Sequence, residues 1–282
     1  MAITAKMVSE LRERSGAAMM ECKKALTETG GDVEAAVDFL RKSGLKGAEK
    51  RAGRDMAEGR VGVHIADGGR AGSIVALTSE TDFVARTDDF AALLVDLCKH
   101  VTEHNPDNAA AMLDQPLAGR DAAVGVAIKS LSGKLGENMQ VAQLQRYENE
   151  AGCVGSYVHH DGKSGALISV TTKAPVADAT AFLKNLGMHI AAIRPAALSR
   201  EDIAADVVER ERKIIMESEE MLSKPEDKRE MIAKGKLEKF YAGSALLEQP
   251  WVLDPKTTVK KALAAALGDD AKIEAYSLFL VG

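Results

Sequence analysis

Ser79-Glu80-Thr81-Asp82-Phe83-Val84-Ala85-Arg86 places a carboxylate beside an aromatic ring where a helical turn opens, with Ser79 and Asp82 as its starting residues. The pattern has two readings. In one, Phe83 and Val84 fill the core beneath the turn. In the other, an apolar wedge and a charge are presented together to another molecule. Asp82 would then compete with, or repel, phosphate and the water shell of a metal ion, and Phe83 would contribute roughly 2–3 kcal/mol on full burial.

Covalent chemistry has few candidates. The sequence contains no P-loop, GxGxxG or HExxH pattern. Cys22, Cys98 and Cys153 are far apart and form no CxxC, which argues against a disulfide framework or a zinc site. A nucleophilic Cys22 would need an activating His or helix dipole. It lies between Met19 and Leu26 on a helix face, the setting of a small buried hydrophobe, and Cys98 and Cys153 read the same way. His159 and His160 are adjacent, so on a strand they face opposite sides and do not readily share a metal. No metal site and no cofactor are expected.

The elements that must position these residues follow from composition and periodicity. The chain has 282 residues, enough for one large domain or two to three small ones. Lys and Arg number 37 against 42 Asp and Glu, a net charge of −5 that disfavours a direct nucleic-acid binder working by phosphate neutralisation. No segment approaches the roughly 20 apolar residues of a membrane span. The N-terminus lacks the basic-then-apolar order of a signal peptide, and the cysteine usage fits a reducing cytoplasm.

Residues 1–45 read as three short helices. Thr4 caps the first, with Met7, Val8 and Leu11 on its apolar face, and Gly16 ends it. The second carries Met19, Cys22 and Leu26 on one side. Asp32 caps the third, where Val33, Ala36, Val37 and Leu40 recur, and Ser43-Gly44 is expected to close it. Residues 46–58 read as a basic linker.

An internal repeat organises the remainder. Val61-Gly62 matches Val154-Gly155, Gly69-Arg70 matches Gly162-Lys163, and Gly72 matches Gly165, all at an offset of 93. Each copy reads as a β-hairpin. Each is followed by an amphipathic helix, 88–104 with Phe90, Leu93, Leu94, Leu97 and Val101, then 176–193 with Phe182, Leu183, Leu186, Ile190 and Ile193. Both copies close with a helix, a Gly-containing turn and a strand: 124–147 around Gly136-Glu137-Asn138, and 258–281 around Gly268-Asp269-Asp270. The fold class is α+β, with core subdomains at 59–148 and at 149–198 plus 242–282. The second is interrupted by a helical hairpin at 199–241. Its thin seam of Ile203, Val207, Ile214, Met221, Met231, Ile232 and Leu237 fits either a solvated arm or a surface on which two copies dimerise.

Four segments carry a family resemblance. Leu11-Arg12-Glu13-Arg14-Ser15-Gly16-Ala17-Ala18-Met19-Met20-Glu21-Cys22-Lys23-Lys24-Ala25-Leu26 resembles the N-terminal signature of the bacterial elongation factor Ts family, and Thr81-Asp82-Phe83-Val84-Ala85 resembles its second signature. Met188-His189-Ile190-Ala191-Ala192 and Leu247-Glu248-Gln249-Pro250-Trp251-Val252 are similar to further family segments in the same order. Ala18 and Ser79 stand where the family often has Gly and Cys, both small changes. Some family members also carry, after the last strand, a C-terminal helix that reaches another domain of their partner, where this sequence has Phe279-Leu280-Val281-Gly282; the resemblance does not carry that contact over.

The resemblance implies a ubiquitin-associated-like N-terminal module, the duplicated core and a coiled-coil hairpin. It implies a guanine nucleotide exchange factor for the GTPase elongation factor Tu, acting without covalent chemistry. Thr81, Asp82, Phe83 and Val84 would dislodge Mg²⁺ from that partner. His159 would contact its phosphate-loop region, and Met19 and Met20 its nucleotide-binding domain. Two other classes stand beside it: a cysteine-dependent enzyme built on Cys22, and an interaction scaffold that binds the GTPase without accelerating exchange.

Overall fold

The computed structural model describes residues 2–51, 53–120 and 122–282. Three helices open the chain: α1 (Ala5–Ser15), α2 (Met19–Glu28) and α3 (Val33–Arg51). The Thr4 hydroxyl accepts from Met7 N–H at 3.3 Å, and Gly16 ends α1 with φ 67°, a left-handed conformation that favours glycine. Asp32 Oδ1 accepts from Ala35 N–H at 3.1 Å at the start of α3. Val8, Leu11, Cys22, Ala25, Leu26 and Ala36 are buried together between the three helices.

Two sequence expectations change here. Met19 does not share the buried side of α2 with Cys22 and Leu26; it is exposed at the first turn. The third helix does not stop at Ser43-Gly44 but continues to Arg51, so residues 46–51 of the expected linker are helical. The physical reason lies across the chain. Gly44 meets Gly133, where an added Cβ would stand 2.7 Å from the Gly44 Cα. These glycines serve close backbone approach between two helices rather than termination. Arg51 Nη2 then donates to Ser132 O at 3.1 Å, extending the contact.

The first core unit runs β1 (Glu58–Ile65), β2 (Ala71–Ser79), α4 (Asp82–Ala85), α5 (Asp88–His104), α6 (Ala109–Met112), α7 (Val124–Leu135) and β3 (Met139–Glu148). The second runs β4 (Gly152–Val158), β5 (Ser164–Thr171) and α8 (Val176–Ile193), then the arm of α9 (Ala205–Glu217), α10 (Glu219–Leu222) and α11 (Glu226–Ser244). It closes with β6 (Pro250–Trp251), β7 (Asp254–Thr258), α12 (Val259–Leu267) and β8 (Lys272–Leu280). The fold is α+β, with antiparallel sheets β1-β2-β3 and β4-β5-β8 and a small β6-β7 pair that the sequence pattern did not reveal. No helix among the described residues is long and apolar enough to cross a membrane.

The repeat extends into the hydrogen bonding. Val61 pairs with Ala76 and Val154 with Ser169, and both central strands slip register one residue later, at Ala76/Leu77 and Ser169/Val170. The units meet sheet to sheet through Val61, Ile74, Ala76, Val154, Leu167 and Phe279. Val61 N–H donates to Gly162 O at 2.8 Å, and Val154 N–H to Gly69 O at 2.7 Å. Those two bonds exchange under the same offset of 93, so the copies are joined by a reciprocal contact of the kind a symmetric dimer makes. The opposite face of each sheet packs on helices: Val75 and Leu77 against Phe90, Leu93 and Leu97, and Ala166 and Ile168 against Leu183, Leu186 and Ile190. Burial on both faces explains why β2 and β5 read as nearly continuous apolar runs.

The arm also departs from expectation. Its seam is Ile215, Met221 and Ala233, with Met216, Ile232 and Leu237 partly buried, while Val207, Ile214 and Met231 point outward. Val207-Val208, Ile214-Ile215 and Met231-Ile232 are adjacent apolar pairs. Adjacent positions differ by about 100° around a helix, so each pair offers two candidate stripes, and only packing selects one. The first arm helix, α9, ends at Glu217, because Ser218 leaves helical geometry and accepts from Met221 N–H at 3.4 Å.

Candidate functional site

The turn that begins with Thr81 is built from both sides. Thr81 has extended backbone and caps α4, its hydroxyl accepting from Val84 N–H at 3.4 Å. Val84 and Ala85 are buried in the first unit's core, whereas Phe83 is 80 % exposed. The two readings of the segment therefore divide between neighbours: Val84 is the core residue, and Phe83 projects into solvent. Asp82 sits beside it, 3.1 Å from Arg86 one turn on. That pair is solvent-exposed and adds little stability, but it leaves the carboxylate next to the ring.

The turn is held by residues far away in sequence. Thr81 N–H donates to Glu137 Oε2 at 3.0 Å, and Thr81 Oγ1 donates to Glu137 Oε1 at 2.6 Å. Ser79 Oγ donates to Thr81 O at 2.9 Å. Glu80 Oε1 accepts from Asn138 N–H at 2.7 Å, and Arg54 Nη1 reaches both Glu80 oxygens at 3.3 Å. In the sequence, Gly136-Glu137-Asn138 reads only as a turn. The separation of 56 positions between Thr81 and Glu137 leaves no local signal for the pairing.

Of the other expected contact residues, Met20 is 72 % and Met19 53 % exposed at the start of α2. Their three-helix module is tied to the first core unit by the Gly44–Gly133 crossing and by Lys134, whose side chain lies over Gly16 and pairs with Asp89 at 2.8 Å. His159 is half-buried in the hairpin turn of the second unit, with its Nδ1 3.0 Å from Tyr157 Oη and its ring against His160. That turn docks on the first unit through Val61–Gly162 and through Lys163–Glu58 at 2.8 Å. Glu58 pairs in register with Ser79, two residues before Thr81. The His159 turn and the Phe83 turn thus flank one end of β1.

The cysteines lie elsewhere and are inaccessible. All three are free and buried, and Cys22 Sγ donates to Ala17 O at 3.6 Å. Burial pushes the Cys98 thiol up to about 12 and raises Cys153 as well, the reverse of the low value a nucleophilic thiolate needs. What the arrangement can do is present a rigid apolar tip and an adjacent carboxylate to a second macromolecule.

Comparison with known proteins bears on the family. The family model described as Elongation factor TS matches residues 80–282. The chain is 42 % identical over 291 aligned residues to Elongation factor Ts of Trichlorobacter lovleyi, covering 100 % of this chain and 93 % of that protein. It is 43 % identical to Elongation factor Ts of Symbiobacterium thermophilum, covering 97 % and 90 %. Elongation factor Ts of Alkalilimnicola ehrlichii is 39 % identical across 100 % of this chain and 93 % of its own.

Proposed function

The chain belongs to the elongation factor Ts family of translation elongation factors, and from that premise we propose that it is a guanine nucleotide exchange factor for elongation factor Tu. The observation that carries the reading is Phe83, 80 % exposed on a capped turn whose next two residues are buried. An aromatic held outward by its own core neighbours has its orientation set before binding, which reduces the entropy lost on docking.

The proposed mechanism is linkage. Factor and GDP each bind the GTPase, and each weakens the other by the same factor. Phe83 enters the nucleotide-binding region of the partner, and Asp82 disturbs the environment of Mg²⁺, a hard cation that bridges phosphate and protein oxygens. Thr81 caps the turn, and Val84 anchors it in the core. The wedge fits only the distorted pocket, so its differential affinity drives the distortion. GDP leaves, GTP enters, and the factor is released without a covalent step. His159 contacts the phosphate-loop region, and Met19 and Met20 contact the nucleotide-binding domain.

The same reading assigns 1–45 as a ubiquitin-associated-like module, 59–148 and 149–198 with 242–282 as the paired subdomains, and 199–241 as a coiled-coil arm through which two factors pair. It places the protein in the cytoplasm. Release of fluorescent GDP from purified elongation factor Tu, with and without this protein, tests the function. Accelerated release is expected. Binding without acceleration would leave the scaffold reading, and no binding would remove both.

A further inference from the structure

We propose that Glu137 is a positioning residue for the wedge: its carboxylate grips Thr81 through both the N–H and the O–H and so fixes the direction in which Phe83 projects. This rests on the exchange reading of residues 81–84. The geometry is specific. One carboxylate takes two donors from one residue, at 3.0 and 2.6 Å, and that residue is the N-cap of the turn carrying Phe83. Thr81 Oγ1 uses its acceptor capacity on Val84 N–H at 3.4 Å. The hydroxyl hydrogen is therefore directed to Glu137, and cap and grip act through the same atom. Glu137 is itself anchored, because Ser132 Oγ donates to its backbone oxygen at 2.5 Å.

The second copy of the repeat supplies an internal comparison. Gly268 ends α12 as Gly136 ends α7, and Asp269 follows it where Glu137 follows Gly136. At the offset of 93, Thr81 corresponds to Ala174, which has no hydroxyl, and Phe83 corresponds to Val176. There Lys173 pairs with Asp270 at 2.6 Å and Thr172 Oγ1 donates to Leu267 O at 3.1 Å. The second unit thus closes the same sheet–helix junction without a two-pronged hold on a helix cap. A hold needed only to close the fold would be expected in both copies. It occurs in the copy that bears the exposed aromatic.

Glu137→Gln tests this. A glutamine keeps the shape and one acceptor oxygen, but its amide group confronts a donor at the second prong. Two readouts are taken on the full chain: backbone hydrogen exchange at residues 81–85, and stimulated GDP release from elongation factor Tu at saturating factor. Losing one charge-assisted hydrogen bond should speed amide exchange in that segment by roughly 10- to 100-fold and slow stimulated release. In a Phe83→Ala background, Glu137→Gln should add no further loss of release, because both changes act through one side chain. Thr81→Val should repeat the loss and Thr81→Ser should restore it, which keeps the test open should Glu137→Gln fold poorly. Unchanged protection of 81–85, full release activity despite lost protection, or additive losses in the double variant would each overturn the positioning role. Full release activity in Phe83→Ala alone would instead overturn the wedge reading, and the role of Glu137 would fall with it.

Discussion

Phe83→Ala separates function from stability unusually well. The ring is 80 % exposed, so truncation leaves no cavity, and the change in folding free energy should stay within about 0.5 kcal/mol. The loss appears only in the complex. Burying most of a phenyl ring against the partner contributes roughly 2–3 kcal/mol. If that burial is made only in the distorted, nucleotide-releasing state, stimulated GDP release should fall roughly 30- to 150-fold. Stopped-flow release of fluorescent GDP, measured across factor concentrations, gives the rate, and a thermal melt of the free variant gives its stability. Val84→Ala is the contrasting control. Val84 is 8 % exposed, and its truncation should cost about 1–3 kcal/mol of stability. Wild-type release by Phe83→Ala would refute the reasoning. So would a fall in melting temperature as large as that of Val84→Ala, since it would mean that the ring stabilises the free protein.

Three further outcomes are expected. Ellman's reagent at pH 8 should titrate none of the three thiols until the protein is unfolded, because all are buried and Cys98 is pushed up to about 12; a fast native thiol would revive a cysteine-dependent activity. His189 is buried against Trp251 and held below its ordinary value by burial, which the bond to Gln249 Oε1 at 2.9 Å only partly opposes. The unfolded chain therefore takes up the proton first, so stability should decline as pH falls below about 6.5, by at most about 1.4 kcal/mol per pH unit from this group. Denaturation followed by the single Trp should show that dependence flattened in His189→Gln, and an unchanged slope would refute it. Arg200 pairs with Glu238 at 2.9 Å and Glu248 at 2.6 Å and lies over the Tyr241 ring, joining the arm to the core. Arg200→Met should raise hydrogen exchange in α9 and α11 while leaving β2 protected; unaltered arm exchange would count against that anchoring.

Features set by local chemistry were legible in the residues. Thr4, Gly16 and Asp32 mark helix ends because capping depends on the residue and its immediate neighbours. The copies separated by 93 residues keep their turn glycines and their apolar spacing, so the duplication is legible in the residues themselves. The arm could be located as well, but not its inward stripe, because adjacent apolar pairs leave the phase of a helix open.

Other features depended on residues distant in sequence. Gly44 looked like a helix end, yet it is a crossing point, because Gly133 approaches it from another helix. Val61 reaches Gly162, and Val154 reaches Gly69, only after the two sheets pack together. The division between Phe83 and Val84 is of the same kind. Two apolar neighbours in a four-residue helix carry no periodicity that says which faces in, and burial of Val84 decided it. By themselves the residues specified a duplicated α+β chain with a carboxylate and an aromatic at one turn. The direction in which that aromatic points was decided by the core beneath it and, in our proposal, by Glu137, 56 residues on, because a turn this short has too few internal hydrogen bonds to orient itself.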